Sequence, residues 1–359
     1  MTGIRGERSD GGSIDFGKKQ LVLRREPALA LRASWRSIGV LSALGIGAVV
    51  LAVLALGVGE YPVSPAEVVA VLTGSDTGFT NVVVLDWRMP RIVLALVIGA
   101  ALGISGAIFQ AITRNPLGSP DVIGFGFGSY TGALVAIALF GGGYYLMAAG
   151  AVAGGLLTAV AVYLLAYRNG LAGFRLIIVG IAVSAVLSSL NQWIILKIKL
   201  NQAITAAIWQ QGTLTGLHWE QAVPVLVCVI PALIWLAYLG PQLPILQMGD
   251  DAAGALGVRT ERARLALFAI GVLLIAIATA AAGPISFVAL AAPQLARRLT
   301  ASPGVGLVSS AFMGAFLLLA SDLVALRIFA PAELPVGAVT VVAGGAYLIW
   351  LLIVQARKQ

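Results

Sequence analysis

Cysteine, histidine and charge are all scarce in this chain of 359 residues: one cysteine, one histidine, and 11% charged residues. A lone Cys228 excludes an intramolecular disulfide and a cysteine metal cluster. His218 stands beside Trp219 and Glu220 in a polar loop and reads as a solvated or interfacial residue rather than a metal ligand. The same shortages remove the nucleophile–base pairs and metal clusters that an intramembrane enzyme needs. So little charge also fails to cover the surface of a soluble domain of this length.

What is abundant is apolar sequence, 59% of residues, with a mean hydropathy of +0.97. Crossing a bilayer takes about 20 apolar residues in a helix. Ten such runs can be drawn, near 38–58, 91–110, 121–140, 144–166, 174–196, 222–239, 263–282, 284–299, 305–326 and 335–355. They are too long and continuous for barrel strands, and helices satisfy their own backbone in lipid. The expected fold class is an all-α integral membrane protein of about ten transmembrane helices. A basic N-terminal segment (1–37) precedes one membrane domain (38–355), and a short tail (356–359) follows. The first run is longer than a signal-peptide core and lacks an A-x-A site, so it reads as the first span.

The net charge of +8 is not grouped as a nucleic-acid surface would be, and no nucleic-acid partner is expected. It carries topology instead. With the N-terminus in the cytoplasm, the inner segments hold eighteen basic residues: Arg5, Arg8, Lys18, Lys19, Arg24, Arg25, Arg32, Arg36, Arg114, Arg168, Arg175, Arg259, Arg262, Arg264, Arg297, Arg298, Arg357 and Lys358. The outer segments keep five: Arg88, Arg91, Lys197, Lys199 and Arg327. That is the positive-inside bias, and an even number of spans puts both termini in the cytoplasm. Small residues recur at fourfold spacing in Gly99/Gly103, Gly128/Gly132 and Gly150/Gly154, which reads as a tightly packed bundle and nothing more specific.

One motif is a decoy. Residues 12–19, Gly-Ser-Ile-Asp-Phe-Gly-Lys-Lys, nearly match a phosphate-binding loop. Lys19 stands where a hydroxyl must reach Mg²⁺, and no apolar strand precedes it. No nucleotide is therefore expected on this chain.

The most informative stretch is Arg88-Met-Pro-Arg91, an apolar helix ending in Gln110, and then Arg114-Asn115-Pro116-Leu-Gly-Ser-Pro-Asp121 up to Gly124. A proline between two arginines fixes the start of the second span. The Asn-Pro and Pro-Asp pairs make a tight turn that sets Asp121 at a helix N-terminus. This stretch resembles the FecCD permeases of type II ABC importers for iron–siderophores, haem and vitamin B12. Their pattern is R-[LM]-P-R, a helix ending in Gln, and an N-P-L-x-x-P loop. Four further segments match in order: 247–258 (Gln-Met-Gly-Asp-Asp-Ala-Ala-Gly-Ala-Leu-Gly-Val), 283–297 (Gly-Pro-Ile-Ser-Phe through Pro293-Gln294 to Arg297), the segment opened by Asp322, and Glu333-Leu-Pro335-Val-Gly337. The likeness runs from about residue 38 to 355. Gln294 replaces the family's usual histidine, Ser286 a common glycine and Ala346 a common proline, and Arg327 lies one place later than usual. Residues 293–298, Pro-Gln-Leu-Ala-Arg-Arg, resemble the ferric-enterobactin branch, whose permeases work as heterodimers.

The resemblance implies the permease subunit of an ABC importer for an iron–siderophore, with vitamin B12 or haem as alternative substrates. It implies no enzymatic activity in this chain and no directly bound cofactor, because ATP and Mg would sit on a separate ATPase. Implied partners are a second permease, homo- or heterodimeric with a heterodimer favoured, two ABC ATPases, a substrate-binding protein or lipoprotein, and membrane lipid. Arg88, Arg91 and Arg327 would dock the binding protein. Residues 249–257, with Gly249, Asp250, Asp251, Ala253, Leu256 and Gly257, would form a cytoplasmic coupling helix seated in an ATPase, and Arg114, Asn115 and Pro116 a cytoplasmic turn. Ser184, Ser188, Asn191, Gln192, Gln294, Pro335 and Gly337 are the candidates for the translocation path. Asp322 is expected to be structural or gating. An ion-coupled secondary transporter is the main rival, although such carriers need ionisable groups at mid-membrane and almost none are visible.

Overall fold

The computed structural model describes residues 20–25, 29–59, 61–75, 78–168, 170, 173–330 and 332–356. The decoy loop at 12–19, the basic residues Arg5, Arg8, Lys18 and Lys19, and the tail residues Arg357 and Lys358 lie outside the described residues.

The chain opens with an antiparallel hairpin, β1 (Gln20–Arg25) and β2 (Leu29–Ser34). The other regular elements among the described residues are helices, in keeping with the all-α fold class. Then come α1 (Trp35–Gly57), α2 (Pro65–Leu72), α3 (Phe79–Thr113), α4 (Phe125–Phe140), α5 (Tyr144–Ala166), α6 (Gly173–Lys197) and α7 (Leu200–Gln210). These are followed by α8 (Trp219–Leu239), α9 (Gln242–Gln247), α10 (Asp250–Ala255), α11 (Thr260–Ala282), α12 (Val288–Thr300), α13 (Leu307–Arg327) and α14 (Val336–Ala356). Among the described residues, seven helices are long and apolar enough to cross a membrane: α1, α3, α5, α6, α8, α11 and α13. α4 and the apolar part of α14 are shorter. The chain is a multi-pass membrane protein.

The run drawn at 284–299 is not one helix. Gly283 to Phe287 are extended or left-handed, and α12 starts only at Val288. The Gly283-Pro284 pair ends α11, and Phe287 (φ 70°) turns the chain into α12. Non-helical backbone at this depth is tolerated because neighbouring segments take up its polar groups: the Thr213 N–H donates to the Ala282 carbonyl at 2.7 Å, and the Phe287 N–H donates to Asp121 Oδ2 at 3.3 Å.

α3 and α11 form the buried centre, with α12, α13, α5 and α8 around them. In lipid, apolar side chains gain little by meeting one another, so close packing decides which helices touch. The glycine pairs do this work. A Cβ on Gly99 would strike the Gly314 carbonyl of α13, and one on Gly132 the Gly150 carbonyl of α5. The α3–α13 and α4–α5 crossings are therefore backbone-to-backbone. α6 is the opposite case, since only Leu176, Gly180 and Asn191 along its length are buried within this chain.

Residues Val82–Arg88 of α3 are π-helical, and the Met89 N–H reaches back to the Val84 carbonyl. Two carbonyls of this wide turn take donors from the start of α8. Trp219 Nε1 donates to Leu85 O at 2.8 Å, and His218 Nδ1 lies 3.2 Å from Asp86 O. A carbonyl can only accept, so that ring nitrogen carries the proton. The turn, which ends at Arg88, resets the helical phase just before Arg91.

Candidate functional site

At the end bearing the arginine-rich loops, α10 is a six-residue helix bracketed by Gly249 (φ 120°) and Gly257 (φ 82°). Both glycines hold left-handed backbone that an L side chain adopts at a cost of about 1–2 kcal/mol. Ala253 is fully buried beneath the helix, whereas Asp251, Leu256 and Gly257 are exposed, Leu256 by 62%. The two aspartates thus have different jobs. Asp251 faces out. Asp250, half exposed, sits between two cations: Arg264 of α11 meets it with both terminal nitrogens, Nη1 at 3.0 Å, and Arg114 Nη2 meets it at 2.6 Å. Arg114 also donates to the Leu246 carbonyl at 3.2 Å. One carboxylate therefore joins α3, α10 and α11. Burial pushes the Asp250 carboxyl up, but the hydrogen bonds and charge of Arg264, and then of Arg114, outweigh it and hold the group below its ordinary value.

Arg114 ends α3 in left-handed backbone (φ 49°). The turn it begins is closed by Asn115, whose Oδ1 accepts the Leu117 N–H at 2.9 Å, and the Pro116 carbonyl accepts from Gln294 Nε2 at 3.4 Å. Gln294 is buried, and its amide donates to Gln110 Oε1 at 2.5 Å, while Gln110 donates to Leu290 O at 3.0 Å. The Gln110–Gln294 pair is an internal staple between α3 and α12.

The opposite end gathers the other arginines. Arg88 donates to the Leu56 and Tyr61 carbonyls and thereby ties the α1–α2 link to α3. Arg91 forms a bidentate pair with Asp322 (Nε 2.9 Å, Nη2 3.0 Å), and its Nη1 reaches Glu333 Oε2 at 3.2 Å. Glu333 Oε2 also accepts from Thr215 Oγ1 at 2.8 Å. Asp322 is buried, which agrees with a structural role, and Arg327 is exposed at the end of α13. A cavity of about 320 Å³ adjoins this cluster, bounded by Tyr61, Trp87, Arg88, Arg91, His218 and Glu333.

The interior offers a smaller cavity, about 130 Å³, beside the break before α12, lined by Asp121, Tyr130, Gln210, Thr279, Pro284 and Ser286 among others. None of the seven path candidates lines it. Ser184 donates to Gly180 O at 2.7 Å, Ser188 is half-buried, and Gln192 is exposed. Asn191 is buried with neither amide atom paired. Pro335 is half-buried, and Gly337 packs against the Gln211 carbonyl while its N–H donates to Gly212 O at 3.1 Å. The sequence carried no local signal for the Arg114–Asp250 and Arg91–Asp322 pairs, whose members lie 136 and 231 residues apart.

Comparison with known proteins places this architecture. The model of the FecCD transport family matches residues 47–354. The chain is 49% identical over 311 residues to the ferric enterobactin transport system permease protein FepG of Escherichia coli (strain K12), covering 87% of this chain and 94% of the relative. It is 35% identical over 313 residues to the iron(3+)-hydroxamate import system permease protein FhuG of Bacillus subtilis (strain 168), covering 85% and 93%. A solved metal-chelate type ABC transporter in an inward-facing conformation superposes with a TM-score of 0.75 at 28% identity, covering 88% of this chain and 99% of that one. With the family pattern matched along nearly the whole membrane domain, the chain belongs to the FecCD transport family.

Proposed function

We propose that this chain is the permease subunit of an ABC importer that carries iron–siderophore complexes across the cytoplasmic membrane. The observation that carries this reading is α10. A short helix outside the spans, anchored to two of them through one carboxylate and presenting Asp251 and Leu256 outward, is built to receive a push and pass it on. The relatives named for ferric enterobactin and iron(3+)-hydroxamate supply the substrate class.

In this reading the seven long helices are joined as spans by α4, α12 and α14, which makes ten. The arginine-rich end, with both termini, faces the cytoplasm, as the positive-inside bias supports. Two ATPases, holding ATP and Mg, seat against α10 of two permeases, a heterodimer being favoured over a homodimer. The exposed length of α6 supplies surface for such a partner and for lipid. Arg88, Arg91 and Arg327 face a substrate-binding protein on the outside.

The test is uptake of labelled ferric siderophores by cells lacking this chain, complemented with wild type or with Ala253→Pro. Proline at 253 deletes the N–H that donates to Gly249 O at 3.0 Å and breaks α10. Uptake restored by wild type alone is the expected result. Uptake restored equally by the proline variant sinks the coupling role, and uptake indifferent to the deletion sinks the importer reading.

A further inference from the structure

The Arg91 guanidinium at the outer end has two carboxylate partners of very different kind. Asp322 grips it through two parallel hydrogen bonds, and its side chain is 3% exposed. Such a pair, once broken, strands a buried charge, so it is a fixed part of the fold. Glu333 holds the same guanidinium through one bond at 3.2 Å, and its side chain is 32% exposed. It bounds the outer cavity of about 320 Å³ together with Arg91, so the contact faces space into which another group can enter. The same Glu333 oxygen also accepts from Thr215 Oγ1 at 2.8 Å, so the carboxylate keeps a partner when the Arg91 contact breaks. A single hydrogen bond to a half-exposed carboxylate is exchangeable on both counts.

We propose that Glu333 is a built-in stand-in for an external carboxylate: an acidic side chain of the docking protein displaces it from Arg91 Nη1, and Glu333 keeps only its bond to Thr215. This rests on the docking reading of the arginine cluster and adds a competitor to it. Glu333 stands three residues before α14 and is bonded to the 211–218 link between α7 and α8. Its release therefore frees the start of α14 from α3 while keeping it tied to that link, so that docking outside changes which helices move together. Undocked, the guanidinium is kept satisfied and the outer end closed.

The experiment measures binding of the substrate-binding protein that supports uptake with this permease to the assembled transporter in nanodiscs. Wild type, Glu333→Gln and Arg327→Glu are compared. Glutamine keeps the oxygen that accepts from Thr215 but removes the charge that competes for Arg91, so binding tightens by roughly two- to fivefold. Generic damage to the outer end weakens binding, so a gain is diagnostic. The expected result is tighter binding by Glu333→Gln and weaker binding by Arg327→Glu. Weaker binding by Arg327→Glu with unchanged or weaker binding by Glu333→Gln overturns the competition and leaves docking intact. Unchanged binding by Arg327→Glu, and by Arg88→Glu as a second variant, overturns the docking reading itself and the proposal with it.

Discussion

Replacing Asp250 by asparagine removes the one negative charge that joins α3, α10 and α11. Arg264 is the partner that suffers, because its side chain is only 11% exposed and its Nε already lacks an acceptor. A hydrogen bond to a charged group is worth about 1.5–3 kcal/mol. Asp250 is half exposed, and screening brings the expected loss to about 1–2 kcal/mol. That energy sets how often α10 detaches, and its loss multiplies the detached population roughly 5- to 30-fold. Amide hydrogen exchange over residues 249–257, in nanodiscs with the ATPase present, should accelerate by that factor. In proteoliposomes, ATP hydrolysis should persist while uptake per ATP falls. The sign with pH also follows. The folded carboxyl lies below its ordinary value of 3.8, so its contribution is complete above 3.8 and is lost as pH falls through the depressed value. The anchoring itself should thus be constant across about pH 5 to 8, so wild-type protection over 249–257, corrected for the intrinsic exchange rate, should not change in that range. Unchanged exchange in Asp250→Asn refutes the anchoring argument, and faster exchange with normal uptake refutes its role in coupling.

Two further predictions follow from packing. Asp322→Asn leaves Arg91 buried against a neutral amide and should cost about 3 kcal/mol, seen as a loss of folded protein on size-exclusion chromatography, whereas Glu333→Gln should cost under about 1 kcal/mol by the same measure. Gly132→Ala drives a methyl group into the Gly150 carbonyl and should destabilise by about 1–3 kcal/mol in thermal unfolding. Gly39→Ala meets nothing within 4 Å and should be neutral or slightly stabilising.

The sequence made much of the fold legible for simple reasons. Apolar runs of membrane length have few solutions in lipid, so eight of the drawn spans reappear as helices within a few residues of their expected bounds. The Gly99/Gly103, Gly128/Gly132 and Gly150/Gly154 spacings did mark real crossings, because a missing Cβ matters only where two backbones meet. The hairpin at 20–34 and the late start of α12 escaped. Hydropathy reports the need to leave water and is blind to a Gly-Pro break whose backbone is satisfied by Asp121 and the link after α7.

The candidate sites divide in the same way. That residues 249–257 form a short capped helix was readable, because glycine brackets and helix-favouring alanines are local signals. That Asp250 rather than Asp251 is gripped by arginines was not, since adjacent residues of a helix point in different directions and only the position of Arg114 and Arg264 gives those directions meaning. Arg88 and Arg91 look alike in sequence, three residues apart on one helix. Tertiary packing alone hands one to backbone carbonyls and the other to Asp322 and Glu333.

By itself, then, the sequence determined that the chain is membrane-embedded, helical and built for close packing, because these follow from composition and local spacing. Which charges meet, and hence which helices move as one, was decided only by the tertiary structure. Residues 136 to 242 positions apart are brought within hydrogen-bonding distance by how the spans pack, and no local pattern encodes that.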